Sequence, residues 1–319
     1  MRSPHLGLAT PASMRRKHFC LSVIVAVACV VTAFTQLRPA TGIYWELESP
    51  SARLVLVPTH HAATVAPRRL SALLTERLLS ADIVFVEIDV LNLAKLDRIA
   101  ECRARSIGTP SSPVSTALRA KLAAAVPELK DAESMKELQI SGAIGALGFL
   151  SRDKAAIRAE FGTDLQLIEY AKRNQRLVES LEDPCDQFEA FGRASRVADE
   201  NALEDALRFY LDDATSYLVR QIERGWNEGS WTTVECAYAR AEDRYPSLKR
   251  TEALSSYERN ADLARAIARR AQNHATVFVA IGALHFIGDS SVLRRLEGMG
   301  YRKVSGPDSR PQDCQLASP

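Results

Sequence analysis

The stretch RLVLVPTHHAATVAPRRLSALLTERLLSADIVFVEIDV, residues 53–90, contains two β-rich runs separated by a helical pattern. LVLVP and DIVFVEIDV are apolar runs typical of buried strands, and the pattern between them predicts a helix that begins at Pro67. A strand, a helix and a strand joined by short loops indicate a βαβ unit with a parallel pair of strands. We therefore expect a ligand-binding edge where LVLVP ends, because open α/β sheets bind ligands at the carboxyl ends of their strands.

Outward from this unit, the pattern adds strands near both ends of the chain. GIYWELES precedes LVLVP and is predicted to form a hairpin with it, and TVFVAIG and YRKVS are strand-like runs near the C-terminus. Residues 94–250 are predominantly helical in pattern, apart from a short strand predicted within 175–182. The sequence thus predicts an α/β fold with a mixed, partly parallel sheet built from the N- and C-terminal segments and a large helical insertion at 94–250.

The first 35 residues are predicted to be a targeting segment. A basic flank, MRRKH, precedes an uncharged run at 19–34 whose length lies between that of a signal-peptide core and that of a membrane span. Both a cleaved signal peptide and a signal anchor fit this length. Residues 36–319 are expected to be exported, periplasmic or secreted, to end in a loose polar tail at 306–319, and to contact a membrane only through an uncleaved N-terminal segment.

Charge and cysteine content limit the partners and the compartment. The chain has 41 Lys and Arg against 39 Asp and Glu, and its body shows no basic stripe, so nucleic acid is not an expected partner. Cys102, Cys185, Cys236 and Cys314 lie beyond the targeting segment. In an oxidising compartment they are expected to form two disulfides with three possible connectivities, and four buried thiols are the alternative.

Histidines stand at two predicted strand ends, although the chain has only six. His61 follows LVLVP, His285 follows TVFVAIG, and Glu87 ends the run IVFVE. Two imidazoles and a carboxylate at one sheet edge suit Zn²⁺, Mn²⁺ or Co²⁺. A lone histidine at a strand end is more often structural, so the spacing alone does not establish a metal site.

Several short motifs, taken in order, resemble the TraB/GumN family, which includes the Tiki membrane-anchored metalloproteases. PTHH and GALH stand where that family has two strands ending in Gly-x-x-His, and FVEID contains the expected glutamate. YERNADLARAI contains its Arg-Asn pair, and FGTDLQLIEYAKRNQRLVESLEDPCDQF is similar to its Gly-x-Asp, Leu-Glu and Gln segment. The resemblance covers residues 43–305.

The resemblance implies a metal-dependent hydrolase and, by analogy with Tiki, a metallopeptidase that acts on a peptide or protein through a metal-activated water. The implied cofactor is a divalent metal, Mn, Co or Zn. Its implied ligands are His61, His285 and Glu87. The implied catalytic residues are Glu87, Arg259, Asn260 and Glu182.

One position departs from the family pattern, because Pro58 replaces the first glycine of the motif. Proline fixes φ and lacks an N–H. If the loop needs a positive φ or that N–H, His61 would be displaced and His60 would be a substitute ligand. The alternative function is therefore a catalytically impaired TraB/GumN-fold protein with a binding or accessory role in the envelope or in polysaccharide export. Hydrolysis of a non-peptide ester is a third alternative, since it uses the same water chemistry.

Overall fold

The computed structural model describes residues 39–92, 97–102, 112–126, 139–140, 143–144, 147, 157–308 and 314. The predicted targeting segment at 1–35 and parts of the predicted insertion lie outside these described residues. Across the described ranges, no helix combines the length and the apolar character needed to cross a membrane.

Six strands and ten helices of at least seven residues are defined in the described part of the chain. The strands are β1 (Trp45–Glu48), β2 (Arg53–Thr59), β3 (Ile83–Val86), β4 (Val178–Ser180), β5 (Thr276–Gly282) and β6 (Arg302–Ser305). The helices are α1 (Ala72–Ser80), α2 (Thr116–Ala125), α3 (Thr163–Arg173), α4 (Pro184–Arg196), α5 (Glu200–Leu211), α6 (Ala214–Glu228), α7 (Trp231–Arg244), α8 (Pro246–Ser255), α9 (Asn260–Ala271) and α10 (Val292–Gly298).

The strands form one mixed sheet in the order β4-β3-β5-β2-β1-β6. Strands β4, β3, β5 and β2 are parallel neighbours, whereas β1 is antiparallel to both β2 and β6. The predicted α/β fold with a mixed, partly parallel sheet and the predicted hairpin of β1 with β2 are therefore confirmed.

The direct pairing of β2 with β3 that the βαβ pattern suggested is wrong, because β5 lies between them. Six of the seven residues of β5 are buried. An apolar run of this kind favours a central position covered on both faces of the sheet. As a result, the strand that precedes His285 separates the strands that precede His61 and Glu87.

Helix α1 begins five residues later than its predicted start at Pro67. Ser71 caps the helix by accepting a hydrogen bond from the backbone N–H of Leu74. Just before this cap, Leu70 forms an isolated β-bridge with Ala40, which keeps the chain extended. Leu74 is fully buried against the sheet.

The described part of the predicted insertion is mostly helical and has a small core of its own. Leu118 and Leu122 of α2 pack there against Leu203 and Leu207 of α5. Strand β4 interrupts the helices within the predicted interval 175–182, where it adds to the edge of the sheet beside β3.

Two disulfides join distant parts of the chain, Cys102 to Cys185 and Cys236 to Cys314. The predicted pairing of four cysteines is confirmed, and it indicates an oxidising, non-cytoplasmic compartment. The second disulfide ties the C-terminal tail to α7. The tail has a further anchor where the indole N–H of Trp45 donates to the carbonyl of Pro307 at 2.8 Å.

Candidate functional site

The carboxyl ends of three adjacent parallel strands position the candidate site. Thr59, the last residue of β2, pairs with Gly282, the last residue of β5. His61 follows β2 by two residues, His285 lies in a short 3-10 turn directly after β5, and Glu87 follows β3. The fold thus brings His61 and Glu87 together with His285, which lies about two hundred positions further along the sequence.

Glu87 lies at the centre of this group and is 7% exposed. Its Oε1 accepts a hydrogen bond from the backbone N–H of Gly282 and lies 3.6 Å from Nε2 of His285. Its Oε2 accepts hydrogen bonds from Gln187 at 3.1 Å and from Nη2 of Arg259 at 3.4 Å. Both carboxylate oxygens are therefore held in fixed positions.

Gly282 leaves the space in which these side chains meet. A Cβ at this position would lie 2.9 Å from Oε1 of Glu87 and 3.8 Å from Nε2 of His61. Any side chain here would collide with the carboxylate. Nε2 of His61 and Oε1 of Glu87 therefore both lie within 4 Å of the space that a side chain at Gly282 would fill.

Both histidines are anchored through Nδ1. Nδ1 of His285 lies 2.6 Å from the amide oxygen of Asn260, and Nδ1 of His61 lies 2.7 Å from Oδ2 of Asp164. Because these oxygens accept hydrogen bonds, each Nδ1 carries the proton and donates it. The lone pair of each neutral ring then lies on Nε2, the atom that a metal binds when Nδ1 is held in this way.

Asn260 and Asp164, which hold the two histidines, differ in how far the sequence predicts them. Asn260 belongs to the Arg-Asn pair, and its amide is oriented by a 3.0 Å hydrogen bond from Nδ2 to the carbonyl of Ser290. Asp164 was not among the predicted site residues. Its signal was the Gly-x-Asp of FGTD, and Gly162 explains it, because a Cβ there would collide with Asp164 and with the backbone of His61.

The ion pair with Asp164 also changes the protonation of His61. Loss of solvent around the ring lowers the pKa of His61, but the hydrogen bond and charge of Asp164 outweigh it and raise the pKa to about 9. The His61 side chain is nevertheless 67% exposed. Water screens so exposed a pair, and a metal bound at Nε2 would displace the proton that the raised pKa favours there.

Arg259 connects the two buried carboxylates of the site. Its side chain is 7% exposed, with Nε 3.6 Å from Oε1 of Glu182 and Nη2 2.8 Å from Nε2 of His285. Nε and Nη1 of Arg259 and Oε2 of Glu182 have no hydrogen-bond partner in the described structure. An arginine on a charged helix ordinarily forms a surface ion pair with a neighbour such as Glu258. Arg259 is instead buried beside Glu87 and Glu182.

The surroundings drive the pKa values of the two glutamates apart. Burial by itself would raise the pKa of Glu87, but His285, His61 and Arg259 hold it well below its usual value. Burial raises the pKa of Glu182 to about 7, and Arg259 offsets only part of that effect. Two carboxyl groups with opposed pKa values are a common arrangement for acid–base chemistry.

Pro58 does not move His61 away from this edge. Strand β2 continues through Pro58, which pairs with Ile281, and ends at Thr59. His60, the substitute ligand considered above, is buried elsewhere: its Nδ1 contacts the carbonyl of Ala62 and its ring lies edge-on to Trp226. Burial lowers the pKa of His60.

The residue types at this edge suit a divalent metal, but one of the present contacts competes with it. Two imidazole Nε2 atoms and one carboxylate are suitable ligands for Zn²⁺, Mn²⁺ or Co²⁺. In the present arrangement Nε2 of His285 accepts a hydrogen bond from Arg259, so an ion bound there would replace this contact. Among the described residues, the ligand atoms of Cys102, Asp183 and Cys185 all lie within 4.8 Å of one another, but the two sulfurs form a disulfide and offer no thiolate. The ligand atoms of His61, His285 and Glu87 are not that close together, so binding of an ion would draw them inward.

Fold and site together define an α/β protein with a His, Glu and Arg cluster at the carboxyl edge of its sheet. The model of the TraB/PrgY/gumN family matches residues 43–304, and the chain belongs to this family. No curated protein and no solved structure matches the chain. Membership of the family confirms the resemblance found in the sequence but does not by itself establish an activity.

Proposed function

We propose that this protein is an exported, metal-dependent hydrolase of the metallopeptidase type, with peptides or proteins as substrates. The observation that carries the proposal is the convergence of His61 and His285 on Glu87, with each Nδ1 anchored. In this proposal His61, His285 and Glu87 hold Mn, Co or Zn. Such an ion, when bound, lowers the pKa of a water molecule and polarises a carbonyl group.

The other residues of the site have roles that follow from their contacts. Glu182, with its raised pKa, exchanges a proton near neutral pH as the general acid and base. Arg259 donates its unpaired Nη1–H to the oxygen that gains negative charge as the scissile carbonyl is attacked. Asn260 and Asp164 hold the histidine tautomers, and Gln187 holds Glu87.

The two disulfides support an exported protein, since such bonds persist in oxidising compartments. We expect the protein in the periplasm or outside the cell. Attachment to a membrane depends on whether residues 1–35 are retained, which N-terminal sequencing of the mature protein determines.

A hydrolysis assay in isotopic water tests the activity. The full-length protein is loaded separately with Mn, Co or Zn and incubated with a mixture of unfolded proteins in H₂¹⁸O, and the products are analysed by mass spectrometry. Hydrolysis places ¹⁸O in every new carboxyl terminus, and we expect this signal to fall at least about a hundredfold in Glu87→Gln. Folded protein that gives no labelled product with any of the three metals would contradict the proposal.

A second candidate is a binding or accessory protein of the same fold without catalysis, related to the envelope or to polysaccharide. One observation favours it: the guanidinium of Arg259 already occupies Nε2 of His285 and Oε2 of Glu87, where a metal would bind. This candidate predicts folded protein that neither retains a metal nor releases ¹⁸O-labelled products.

A further inference from the structure

A cleft of about 410 Å³ lies next to the site, between helices α4 and α9. Arg259 and Glu182 form its inner end. Arg259 is only 6% exposed, and its Nη1 has no hydrogen-bond partner among the described residues. Because an unpaired buried N–H is costly, this atom favours a ligand that brings an oxygen into the cleft.

The two walls of the cleft carry charges in the same order. Asp186 lies in the first turn of α4 and Asp262 in the first turn of α9, and both charges act on Glu182. Further along the helices, Arg193 and Arg269 line the same cleft. Asp262 pairs with Arg265, and Arg193 lies 3.9 Å from Glu189. Asp186 at the inner end and Arg269 at the outer end therefore carry charges that the described contacts leave without an ion pair.

The separation of the two ends matches a short peptide. Asp186 and Arg193 are seven positions apart, as are Asp262 and Arg269, which corresponds to about 10 Å along a helix. An extended peptide spans this distance in about three residues. The volume of the cleft also lies in the usual range for small-ligand sites.

Helix electrostatics account for part of this pattern without any ligand. Acids in the first turn and arginines in the last turn each stabilise a helix. That effect does not explain why Nη1 of Arg259 and Oε2 of Glu182 stay unpaired at the end of the cleft. These two atoms indicate that a ligand completes the site.

We propose, on the basis of the hydrolase function above, that this cleft binds an extended segment of the substrate peptide. A backbone carbonyl accepts a hydrogen bond from Nη1 of Arg259. A basic side chain next to the scissile bond lies near Asp186, and an acidic group about three residues further along lies near Arg269. The cleft therefore selects peptides that carry opposite charges at this spacing.

Charge reversal at the two ends of the cleft tests this selectivity. Asp186 and Arg269 are both exposed, and the described contacts give neither side chain an ion pair, so Asp186→Lys and Arg269→Glu are expected to fold normally. The probes are three fluorescein-labelled peptides in which two alanines separate a Lys and a Glu, two Lys, or two Glu. Anisotropy with the full-length protein and a chelator measures binding independently of hydrolysis.

We expect the wild type to prefer the Lys and Glu peptide by about threefold, a typical effect of one exposed charge pair. Asp186→Lys makes both ends basic and shifts the preference to the peptide with two Glu. Arg269→Glu makes both ends acidic and shifts it to the peptide with two Lys. The matched control is Asp243→Lys, an exposed change on α7 outside the cleft, which leaves the order of the peptides unchanged.

Failure of this inference and failure of the hydrolase proposal give different results. Suppose that proteins are hydrolysed in H₂¹⁸O but that Asp186→Lys and Arg269→Glu bind the three peptides in the wild-type order. This result would contradict peptide binding in the cleft and would leave the hydrolase proposal intact. Peptides that bind with the expected order but are never hydrolysed support the cleft and contradict the hydrolase. An equal change in the order of peptide affinities in Asp243→Lys would also contradict peptide binding in the cleft, since net charge alone would then explain the preference.

Discussion

Glu46 and Glu87 are buried glutamates that contact arginines, and their surroundings are very different. Glu46 in β1 is held by Arg53 at 2.5 Å and by Arg77 at 2.6 Å, so each carboxylate oxygen has a guanidinium partner. Glu87 also has partners on both oxygens, but the arginine it contacts keeps Nε and Nη1 unpaired.

The arginines make the difference clear. The side chains of Arg53 and Arg77 are 39% and 25% exposed, so part of each is in contact with water, although the buried Nε of Arg53 has no hydrogen-bond partner in the described structure. Arg259 is enclosed at 7%, together with a second carboxyl group of raised pKa. The first cluster stabilises the sheet and leaves one buried nitrogen unpaired, whereas the second leaves two nitrogens of Arg259 and one oxygen of Glu182 unpaired for a ligand.

The largest effect is expected at the cluster of Glu46, Arg53 and Arg77. Glu46→Gln should lower the free energy of unfolding by about 3 kcal/mol, because removing one partner leaves Arg53 and Arg77 without their counter-ion. Urea unfolding measures the loss. Metal content and hydrolysis should not change in the folded protein, and a loss of either would contradict the division into a structural and a functional cluster.

The pH dependence of this loss follows from the pKa of Glu46. Burial opposes the shift, but Arg53 and Arg77 hold the pKa of Glu46 below its unfolded value. The stabilisation is therefore present above about pH 4.5 and disappears as the pH falls through the folded pKa. The difference between wild type and Glu46→Gln should shrink correspondingly in acid.

The next effect concerns the anchors of the functional cluster. Asn260→Leu removes the acceptor of Nδ1 of His285, frees its tautomer and should weaken Zn²⁺ binding by about 10- to 100-fold. Asn260→Asp keeps an acceptor and should restore most of the affinity. Competition with a chromogenic chelator measures both variants, and equal affinities would show that the tautomer is not controlled in this way.

The smallest effect is expected at Glu182. Because burial raises the pKa of Glu182 to about 7, the folded state binds its proton more tightly than the unfolded chain does, and stability falls as the pH rises from about 4.5 to 7. In metal-free protein, Glu182→Gln should be more stable than wild type by at least about 1 kcal/mol above pH 7. The gain should vanish below pH 4.5, and a gain of the same size at both pH values would contradict a raised pKa.

The sequence was sufficient for the sheet edge because its signals are local. An apolar run followed by His61 or Glu87 predicts both a strand and the position of its carboxyl end. The central place of β5 was not predictable in this way, since it depends on which apolar run the other strands and helices can cover. The role of Asp164 and the burial of Arg259 were not predicted for the same reason: each depends on a contact with a residue about one hundred positions or more away in the chain.

The most direct test of the metal site is elemental analysis of the full-length protein beside His285→Ala and Glu46→Gln, each after reconstitution with Mn, Co or Zn. We expect one ion per chain in the wild type and in Glu46→Gln, and none in His285→Ala. Wild-type protein that is folded but retains no ion with any of the three metals would contradict this expectation. Arg259 would then be the permanent cation of the site, as in the binding-protein alternative.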